Sequence, residues 1–376
     1  MLGVPISHAA RRVALVVGAG ALGAAVCSAG VHLTRPSQES LQAVRAEGPP
    51  TTGSPITPAE QQAIDLLHRG GTAEHTVAYR GTKLFASWSS LGSMSVLADV
   101  SHQPGQPTRV AIASAGSSSV PQQQLVDNDV AADLDEQALG ALTRRYTLRI
   151  AEHANCVGRS ATVVEVARGS AVAGRFWLDD ESGLVLRREL YDKRGERVRA
   201  TAFLDLRIGG EQPATLLGLT GSPSALPSAD ADHRLSPREL SDLRRAGLVL
   251  PDLLPGGFVL FGSRQVTVGG ADAVQLTYSD GLFAFSLFAQ AGRLPARLPG
   301  LTAHTIAGTT VYVRPGLYRQ LTWAGDDNVY TLVTDAPDDV VTGVIRAMPH
   351  RPPDSGFLGR VSKGIVRMGS WVNPFD

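Results

Sequence analysis

Residues able to do chemistry are present in this sequence, but not at the spacings that catalysis or metal binding requires. The nine histidines form no H-E-x-x-H pattern and no pair at metal-ligand spacing. No G-x-S-x-G or S-x-x-K motif presents an activated serine. We interpret His102 and His304 as hydrogen-bonded or exposed side chains rather than catalytic bases. A hydrolase would need a nucleophile–base pair, so we predict that the protein is not an enzyme and uses no cofactor.

Two clusters of acidic residues lie in turns. Asp179, Asp180 and Glu181 belong to DDESG, and Asp326 and Asp327 belong to GDDN. Aspartates in turns accept hydrogen bonds from backbone N–H groups and help to close the turn. We therefore assign these carboxylates a structural role rather than acid–base catalysis or calcium binding.

A literal G-x-G-x-x-G motif occurs near the start of the chain. It consists of Gly18, Gly20 and Gly23 after VALVV, and Glu39 lies near the distance of a ribose-binding acid. A dinucleotide-binding fold also needs a helix and a second apolar strand before that acid. The chain instead continues as polar TRPSQES, in which Pro36 blocks regular structure. The motif therefore does not indicate a nucleotide site.

The same stretch has the character of a membrane segment. Val13–Leu33 is 21 residues long, carries no formal charge and follows Arg11 and Arg12. A spanning helix needs about 20 apolar residues with positive charge on the cytoplasmic side. We predict a cytoplasmic N-terminus at 1–12, with the rest of the chain exported across the cell membrane. A retained transmembrane helix and a cleaved signal segment both fit this pattern.

Composition excludes one broad class of partner. The chain of 376 residues carries 35 Lys+Arg and 35 Asp+Glu, so its formal net charge is zero. A nucleic-acid-binding protein needs a basic excess to displace counterions from phosphates. The length accommodates two domains, each with its own core. Cys27 and Cys156 lie in different regions, so we expect no intradomain disulfide and no cysteine zinc site.

Changes in composition divide the exported part of the chain. We predict, in order, a linker at 34–56, an N-terminal domain at 57–210, an interdomain connection at 211–250, a C-terminal domain at 251–350 and a tail at 351–376.

The N-terminal domain is predicted to open with a helix and then turn to strands. Thr57 caps a helix with Pro58 at its first position, and its apolar face ends at Gly70–Gly71. The predicted elements that follow are strands at Thr76–Tyr79, Leu84–Trp88 and Met94–Val100, a turn at Arg80–Lys83, a helix at Glu136–Leu142, and strands at Tyr146–Ala151 and Ala161–Ala167.

Arg175–Gly209 is predicted to be a three-stranded antiparallel meander. Its turns, DDESG and DKRG, lie about ten residues apart, which is too close for βαβ units. Gly183 at the end of DDESG is expected to have a positive φ angle. In the middle strand, the alternation places Leu186 and Leu190 on one face and Arg187 and Glu189 on the other.

The C-terminal domain is predicted to consist of strands followed by one closing helix. The expected elements are a capped helix at Pro237–Ala246 before the domain, strands at Val266–Val268, Ala273–Tyr278, Phe283–Ala289, Thr309–Arg314, Tyr318–Ala324 and Val329–Asp335, and the closing helix at Pro337–Ala347.

Several of these stretches resemble the MucB/RseB family of sigma-E-type envelope-stress regulators. They are WLDDESGLVLRRE with the following D-x-x-G turn and FLDL, then LPGGF, YSDGLFAFSLF and LTWAGDDNVYTLVTDAP. The resemblance covers roughly residues 59–350. It implies an α+β fold in which a curved antiparallel sheet wraps helices, as in a LolA-like half-barrel. A smaller antiparallel-sheet C-terminal domain is expected to follow.

The resemblance also implies a function. The protein is expected to bind the extracytoplasmic part of a membrane anti-sigma factor and to modulate its proteolysis in response to lipid or envelope stress. The alternative is a lipid or lipoprotein carrier or chaperone that uses the same apolar cavity. The candidate cavity residues are Trp88, Phe176 and Trp177, and Phe283 and Phe285 are candidates for a partner surface, although all five also fit a packed core.

Overall fold

A computed structural model of the chain describes residues 56–106, 108–112, 136–210, 233–268, 271–294, 298–325 and 327–350. The predicted membrane or signal segment at 13–33, nearly all of the linker and the tail lie outside these ranges. Within them, no helix is long and apolar enough to cross a membrane. The chain divides into two compact units, Met1–Ala214 and Thr215–Asp376, and the domain boundaries proposed within them stay predictions.

In the residues that the structure describes, the first unit is one antiparallel sheet of eight strands with two helices. Its elements are α1 (Pro58–Thr76), β1 (Tyr79–Ser89), β2 (Gly92–His102), β3 (Arg109–Ile112), α2 (Glu136–Thr143), β4 (Thr147–Cys156), β5 (Arg159–Arg168), β6 (Ala171–Asp179), β7 (Val185–Tyr191) and β8 (Arg197–Ile208). The strand order is β3-β2-β1-β8-β7-β6-β5-β4. Strands β3 and β4 form the two edges of the sheet. The last strand, β8, pairs with β1 in the middle and so places the meander beside the first hairpin.

The predicted meander is confirmed as β6, β7 and β8. Each strand pairs antiparallel with the next, and Gly183 has a φ of +84° in the first turn. Leu186 and Leu190 are buried, but so are Arg187 and Glu189 on the other face. Side chains on both faces of the middle strand are therefore buried, and those on its charged face need compensating partners.

Helix α1 is longer than the sequence predicted. The expected stop at Gly70–Gly71 is wrong, because the helix continues to Thr76. A Cβ atom on Gly70 would lie 2.5 Å from Leu178 Cδ2 of β6, so this glycine allows close packing of helix against sheet. Gly70 thus marks a position inside the helix where it contacts the sheet, and not the end of the helix. The predicted cap is confirmed, since the Thr57 hydroxyl accepts a hydrogen bond from Glu60 N.

The first hairpin also differs from the prediction. Two separate strands with a turn at Arg80–Lys83 were expected, whereas β1 runs unbroken from Tyr79 to Ser89. A β-bulge lies between Thr82 and Lys83 in the pairing with β8, so the polar residues there mark an irregularity of register. The helix predicted at Glu136–Leu142 and the two strands after it are confirmed, with β4 and β5 each longer than predicted.

The described part of the second unit is an antiparallel sheet of nine strands with two helices. Its elements are β9 (His233–Arg234), α3 (Pro237–Arg245), β10 (Leu253–Leu254), β11 (Phe258–Val268), β12 (Ala271–Ser279), β13 (Ala284–Ala291), β14 (Thr302–Ile306), β15 (Thr309–Arg314), β16 (Arg319–Ala324), β17 (Asn328–Thr334) and α4 (Asp338–Ala347). The order is β10-β11-β12-β13-β17-β16-β15-β14, and β9 pairs with β11. By strand number this sheet is not the smaller of the two, although β9 and β10 have two residues each.

Both helices predicted in this part of the chain are present. Helix α3 begins with a capping box between Ser236 and Glu239, as the sequence indicated. Helix α4 packs beside the sheet at its C-terminal end, where Trp323 Nε1 donates a hydrogen bond of 3.1 Å to Pro349 O. Strand β14 was not predicted. Two antiparallel sheets with few helices, the first curled as a half-barrel, confirm the predicted α+β class.

Candidate functional site

The three aromatic residues proposed to line an apolar cavity each have a guanidinium group over the ring. Arg197 lies 4.8 Å from the ring centroid of Trp88, and Arg187 lies 4.8 Å from that of Trp177. Arg188 lies 5.4 Å from the ring centroid of Phe176. Such cation–π contacts contribute about 0.5–2 kcal/mol each, and the guanidinium covers one face of the ring.

The structure does not bring these three rings together. Phe176 and Trp177 are adjacent in β6, so their side chains point to opposite faces of the sheet. Phe176 shares its face with Leu178, which lies against Gly70 of α1. Phe176 therefore points to the face covered by the helix, and Trp177 points away from it. That these aromatic residues line one cavity stays a prediction.

The face opposite α1 carries a network centred on Glu189. This carboxylate is only 5% exposed and accepts hydrogen bonds from Arg187, Arg197 and Tyr191. The Arg197 Nη1–Glu189 Oε1 distance is 2.7 Å. The two arginines that cover Trp177 and Trp88 are thus held by one buried carboxylate. A carboxylate bonded in this way orients the guanidinium planes over both rings.

A second buried carboxylate, Glu165, repeats this arrangement on the neighbouring strands. It accepts hydrogen bonds from Arg149 of β4 and from Arg175 Nε of β6, the latter at 2.9 Å. Arg175 is the register partner of both Glu165 and Glu189, so the two networks lie on one face. We call this face the arginine–aromatic face; it comprises Trp88, Arg149, Glu165, Arg175, Trp177, Arg187, Glu189, Tyr191 and Arg197.

The network also fixes protonation states. Burial alone would raise the pKa of Glu189, but the charge and hydrogen bond of Arg187, with the bonds from Tyr191 and Arg197, lower it. Burial and the nearby Glu189 carboxylate raise the pKa of Tyr191. At neutral pH, Glu189 is therefore ionised and Tyr191 is a protonated donor.

The carboxylates of the DDESG turn have the structural role that the sequence predicted. Asp179 accepts two hydrogen bonds from Arg159, at 2.7 and 2.9 Å, and one from Ser182 N at 2.9 Å. Burial alone would raise the pKa of Asp179, but these bonds lower it. Of the second acidic pair, Asp326 lies outside the described residues.

The histidine interpretation is confirmed for His102. It is buried, its Nε2 atom lies 2.9 Å from His75 O, and its ring stacks on Tyr79. His304 is half-buried in β14. Across the ranges that the structure describes, no three His, Cys, Asp or Glu side chains are grouped to hold a metal ion.

Phe283 and Phe285 are core residues of the second unit in this conformation. Phe283 is 4% exposed and Phe285 is 3% exposed. The Phe285 ring stacks on Tyr278 at 5.4 Å and contacts Phe258 at 4.9 Å. Neither ring is presented to a partner, because the strand alternation directs both into the packed interior. A role in partner binding stays a prediction.

The arginines and glutamates of the arginine–aromatic face were not predicted as site residues. The alternation in β7 placed Arg187 and Glu189 on one face, but it did not show that this face is buried. A usable signal was the spacing of opposite charges in the predicted strands. Arg187 and Glu189 lie two residues apart in one strand, and Glu165 and Arg175 lie in neighbouring strands. Opposite charges at cross-strand positions indicate paired residues on one face.

Part of this sheet is similar to a known protein family. Residues 103–219 match the family model of the MucB/RseB N-terminal domain. This part of the chain is similar to the MucB/RseB N-terminal domain. The match spans β3 to β8 and so includes the meander and most of the arginine–aromatic face, and the resemblance stated from the sequence is confirmed. No curated protein matches the chain.

Solved structures of MucB align over both units, at low similarity. A crystal structure of MucB in complex with MucA(peri) has 19% identity and a TM-score of 0.43, and covers 78% of this chain and 100% of MucB. The Pseudomonas aeruginosa MucA/MucB complex gives the same values. A putative outer membrane lipoprotein-sorting protein domain from Vibrio parahaemolyticus has 11% identity and a TM-score of 0.20, covering 42% of this chain and 96% of that one. At these TM-scores the likeness adds no support for a function.

Proposed function

We propose that this protein is an extracytoplasmic regulator that binds a membrane anti-sigma factor and modulates its proteolysis in response to lipid or envelope stress. The observation that carries the proposal is the match of β3 to β8 to the MucB/RseB N-terminal domain. The absence of a recognisable catalytic motif in the sequence agrees with a binding role. The predicted segment at 13–33 would hold the protein at the cell membrane, where such a partner is found.

The arginine–aromatic face favours protein binding over lipid transport. A carrier must open a continuous apolar surface to an acyl chain, which gains about 0.8 kcal/mol per buried CH₂ group. Here Trp88, Trp177 and Phe176 each stack against an arginine. An acyl chain that reached the covered face of Trp177 or Trp88 would have to displace an arginine held by Glu189. The regulator is therefore preferred to the carrier.

Crosslinking in native membranes tests this proposal. The tagged full chain is crosslinked, purified and compared with a strain that lacks the tag. A regulator retains a membrane-spanning anti-sigma factor, and deletion of the protein accelerates proteolysis of that factor. Recovery of lipid and a lipoprotein client, with no anti-sigma factor, would support the carrier and overturn the proposal.

A lipid titration tests the stress-sensing half separately. Trp88 is half-buried and Trp177 is 6% exposed, so displacement of Arg197 or Arg187 by an acyl chain should shift tryptophan emission. Binding to the folded state should also raise the melting temperature with ligand concentration. Unchanged emission and melting temperature at saturating lipid, relative to a detergent control, would contradict lipid sensing and leave only the part of the proposal that concerns binding of the anti-sigma factor.

A further inference from the structure

A pocket of about 440 Å³ lies at one end of the arginine–aromatic face. It is formed by the start of β6, the end of β7 and the turn that leads to β8. Its lining residues are Ala171, Val172, Arg175, Tyr191, Lys193, Arg194 and Gly195. Three of these described lining residues are basic and none is acidic, and two of the three pair with carboxylates outside the lining, Arg175 with Glu165 and Arg194 with Asp192.

Arg175 is held in the pocket wall by the buried network. Its Nε and Nη2 atoms each lie 2.9 Å from Glu165 Oε2, and Glu165 is 1% exposed. Arg149 holds the other oxygen of the same carboxylate. An arginine has five N–H donors, so the bonds to Glu165 leave part of the guanidinium available to a ligand. Because Arg175 is already oriented, a ligand does not have to order it.

Tyr191 is oriented in the same way, and the turn supplies further charge. The Tyr191 hydroxyl donates to the buried Glu189 carboxylate, which fixes the ring as a second wall. Lys193 and Arg194 extend from the turn, and the Arg194 side chain is 81% exposed. Its bond to Asp192 measures 3.2 Å and is open to solvent, where such pairs contribute about 0–1 kcal/mol. A competing anion can therefore displace it.

We infer that this pocket binds an acidic side chain of the protein partner, as part of the partner interface of the first unit. The guanidinium fork matches a carboxylate, and the two turn cations complement its charge. The only aliphatic lining residues are Ala171 and Val172, too few to bury the acyl chain of a lipid. A polypeptide supplies an anionic group without that requirement. The inference rests on the proposed function, since it specifies the chemistry of the same partner.

The experiment uses a decaglutamate peptide as the probe. The full chain in neutral detergent micelles is titrated into fluorescein-labelled decaglutamate, and binding is followed by anisotropy at low and at physiological salt. Decaglutamine is the uncharged reference. We expect decaglutamate to bind and decaglutamine not to bind. Inorganic phosphate and vesicles of phosphatidylglycerol with phosphatidylcholine are titrated in parallel to test a phosphate or membrane ligand.

A matched pair of variants isolates the pocket. Lys193→Glu with Arg194→Glu reverses two pocket charges in an exposed turn. Arg109→Glu with Arg207→Glu makes the same net change at exposed positions on β3 and β8 that do not line the pocket. We expect the first pair to weaken decaglutamate binding at least about tenfold and the second pair by less than about twofold. Circular dichroism and melting temperature verify that both pairs are folded.

Three results would overturn the inference. The first is an equal loss of decaglutamate affinity in the two variant pairs. The second is binding of decaglutamine as tight as that of decaglutamate. The third is binding of phosphate or vesicles that requires the pocket cations while decaglutamate does not bind. The crosslinking experiment separates this inference from the proposed function. If wild type captures no anti-sigma factor, the proposed function fails; if the Lys193/Arg194 pair captures as much as wild type, only the pocket inference fails.

Discussion

Glu189 accepts hydrogen bonds from three side chains at a position that water hardly reaches. The partners stabilise the ionised form of this buried carboxylate. Its removal would leave the arginines without a counter-charge. The stability of the meander therefore depends on a charge that the hydrophobic pattern of β7 does not reveal.

Replacing Glu189 tests this dependence. Glu189→Gln removes the charge and keeps the shape, and we expect a loss of about 3 kcal/mol in the free energy of unfolding at neutral pH. Chemical denaturation measures it. Glu181→Gln is the control, because Glu181 also binds an arginine, Arg159, but its side chain is 86% exposed. The control should change stability by less than about 0.5 kcal/mol.

The same pair of variants gives a pH dependence. The pKa of Glu189 is lowered by folding, so in acid the unfolded state binds the extra proton. The contribution of ionised Glu189 to the free energy of unfolding is complete above the ordinary glutamate pKa of about 4.3. It is lost as the pH falls through the lower pKa of the folded state. The difference between wild type and Glu189→Gln should therefore shrink in acid. A difference that stays constant with pH would contradict the assignment of the charge.

At the scale of elements, Gly70 determines how closely α1 packs on β6. Gly70→Ala adds helix propensity, worth about 1 kcal/mol, but its Cβ would lie 2.5 Å from Leu178 Cδ2 in a buried contact. Overpacking costs about 1–3 kcal/mol, so we expect a net loss of stability of about 1 kcal/mol. Gly140→Ala in α2 is the control, since its nearest neighbour is Arg144 Nη1 at 3.6 Å. That variant should gain stability, and a gain at Gly70 as well would disprove the close contact.

Two hairpin turns hold residues that are unfavourable at their backbone angles. Val157 between β4 and β5 has a φ of +57°, and Ala307 between β14 and β15 has a φ of +53°. A glycine follows each, as in a type I′ turn that prefers Asn-Gly. We expect Val157→Asn to raise the free energy of unfolding by about 1 kcal/mol, and Ala307→Asn by less, because alanine is not β-branched. Thermal melting checks the order of the two gains; the reverse order would contradict it.

The elements that could be predicted are those whose signals are local. Turn residues placed the meander, and the capping pattern at Ser236 placed α3. The end of α1 could not be predicted, because Gly70 is there for a contact with Leu178, more than 100 residues away in the chain. The bulge at Thr82 depends on pairing with β8 and is equally non-local. Of the candidate site, alternation gave the opposite orientation of Phe176 and Trp177, but the arginines above them arise from cross-strand register.

At the scale of the whole molecule, the first 33 residues predict where the chain meets the membrane. Arg11 and Arg12 before the uncharged run at 13–33 predict an N-terminus inside the cell and a C-terminus outside. A phosphatase reporter fused after Asp376 should be active, and a reporter that functions only in the cytoplasm should be silent. Arg11→Glu with Arg12→Glu should weaken this orientation. Activity of the cytoplasmic reporter in the wild-type fusion would contradict the topology.

Helix α1 also joins two distant parts of the first sheet. Glu60 Oε1 near its start accepts a hydrogen bond of 3.3 Å from Leu148 N in β4, and His75 O near its end lies 2.9 Å from His102 Nε2 in β2. Strand β4 is the last in the sheet and β2 is next to the first. The helix therefore spans the curl of the sheet, and it is the first described element after the linker.

In mechanical terms, α1 is the first described element that a pull on the chain ahead of Thr57 would reach. A pull on the chain ahead of Thr57 loads the contact between Glu60 and Leu148 before it reaches the contact between Gly70 and Leu178. The helix should then peel from β4 towards β2, breaking its contacts one after another. Peeling requires less force than shearing all of the contacts at once. In an optical trap, Glu60→Ala, which removes the acceptor of Leu148 N, should lower the first rupture force when the chain is pulled from residue 57. It should leave that force unchanged when the pull is applied to Ile208, at the far end of β8.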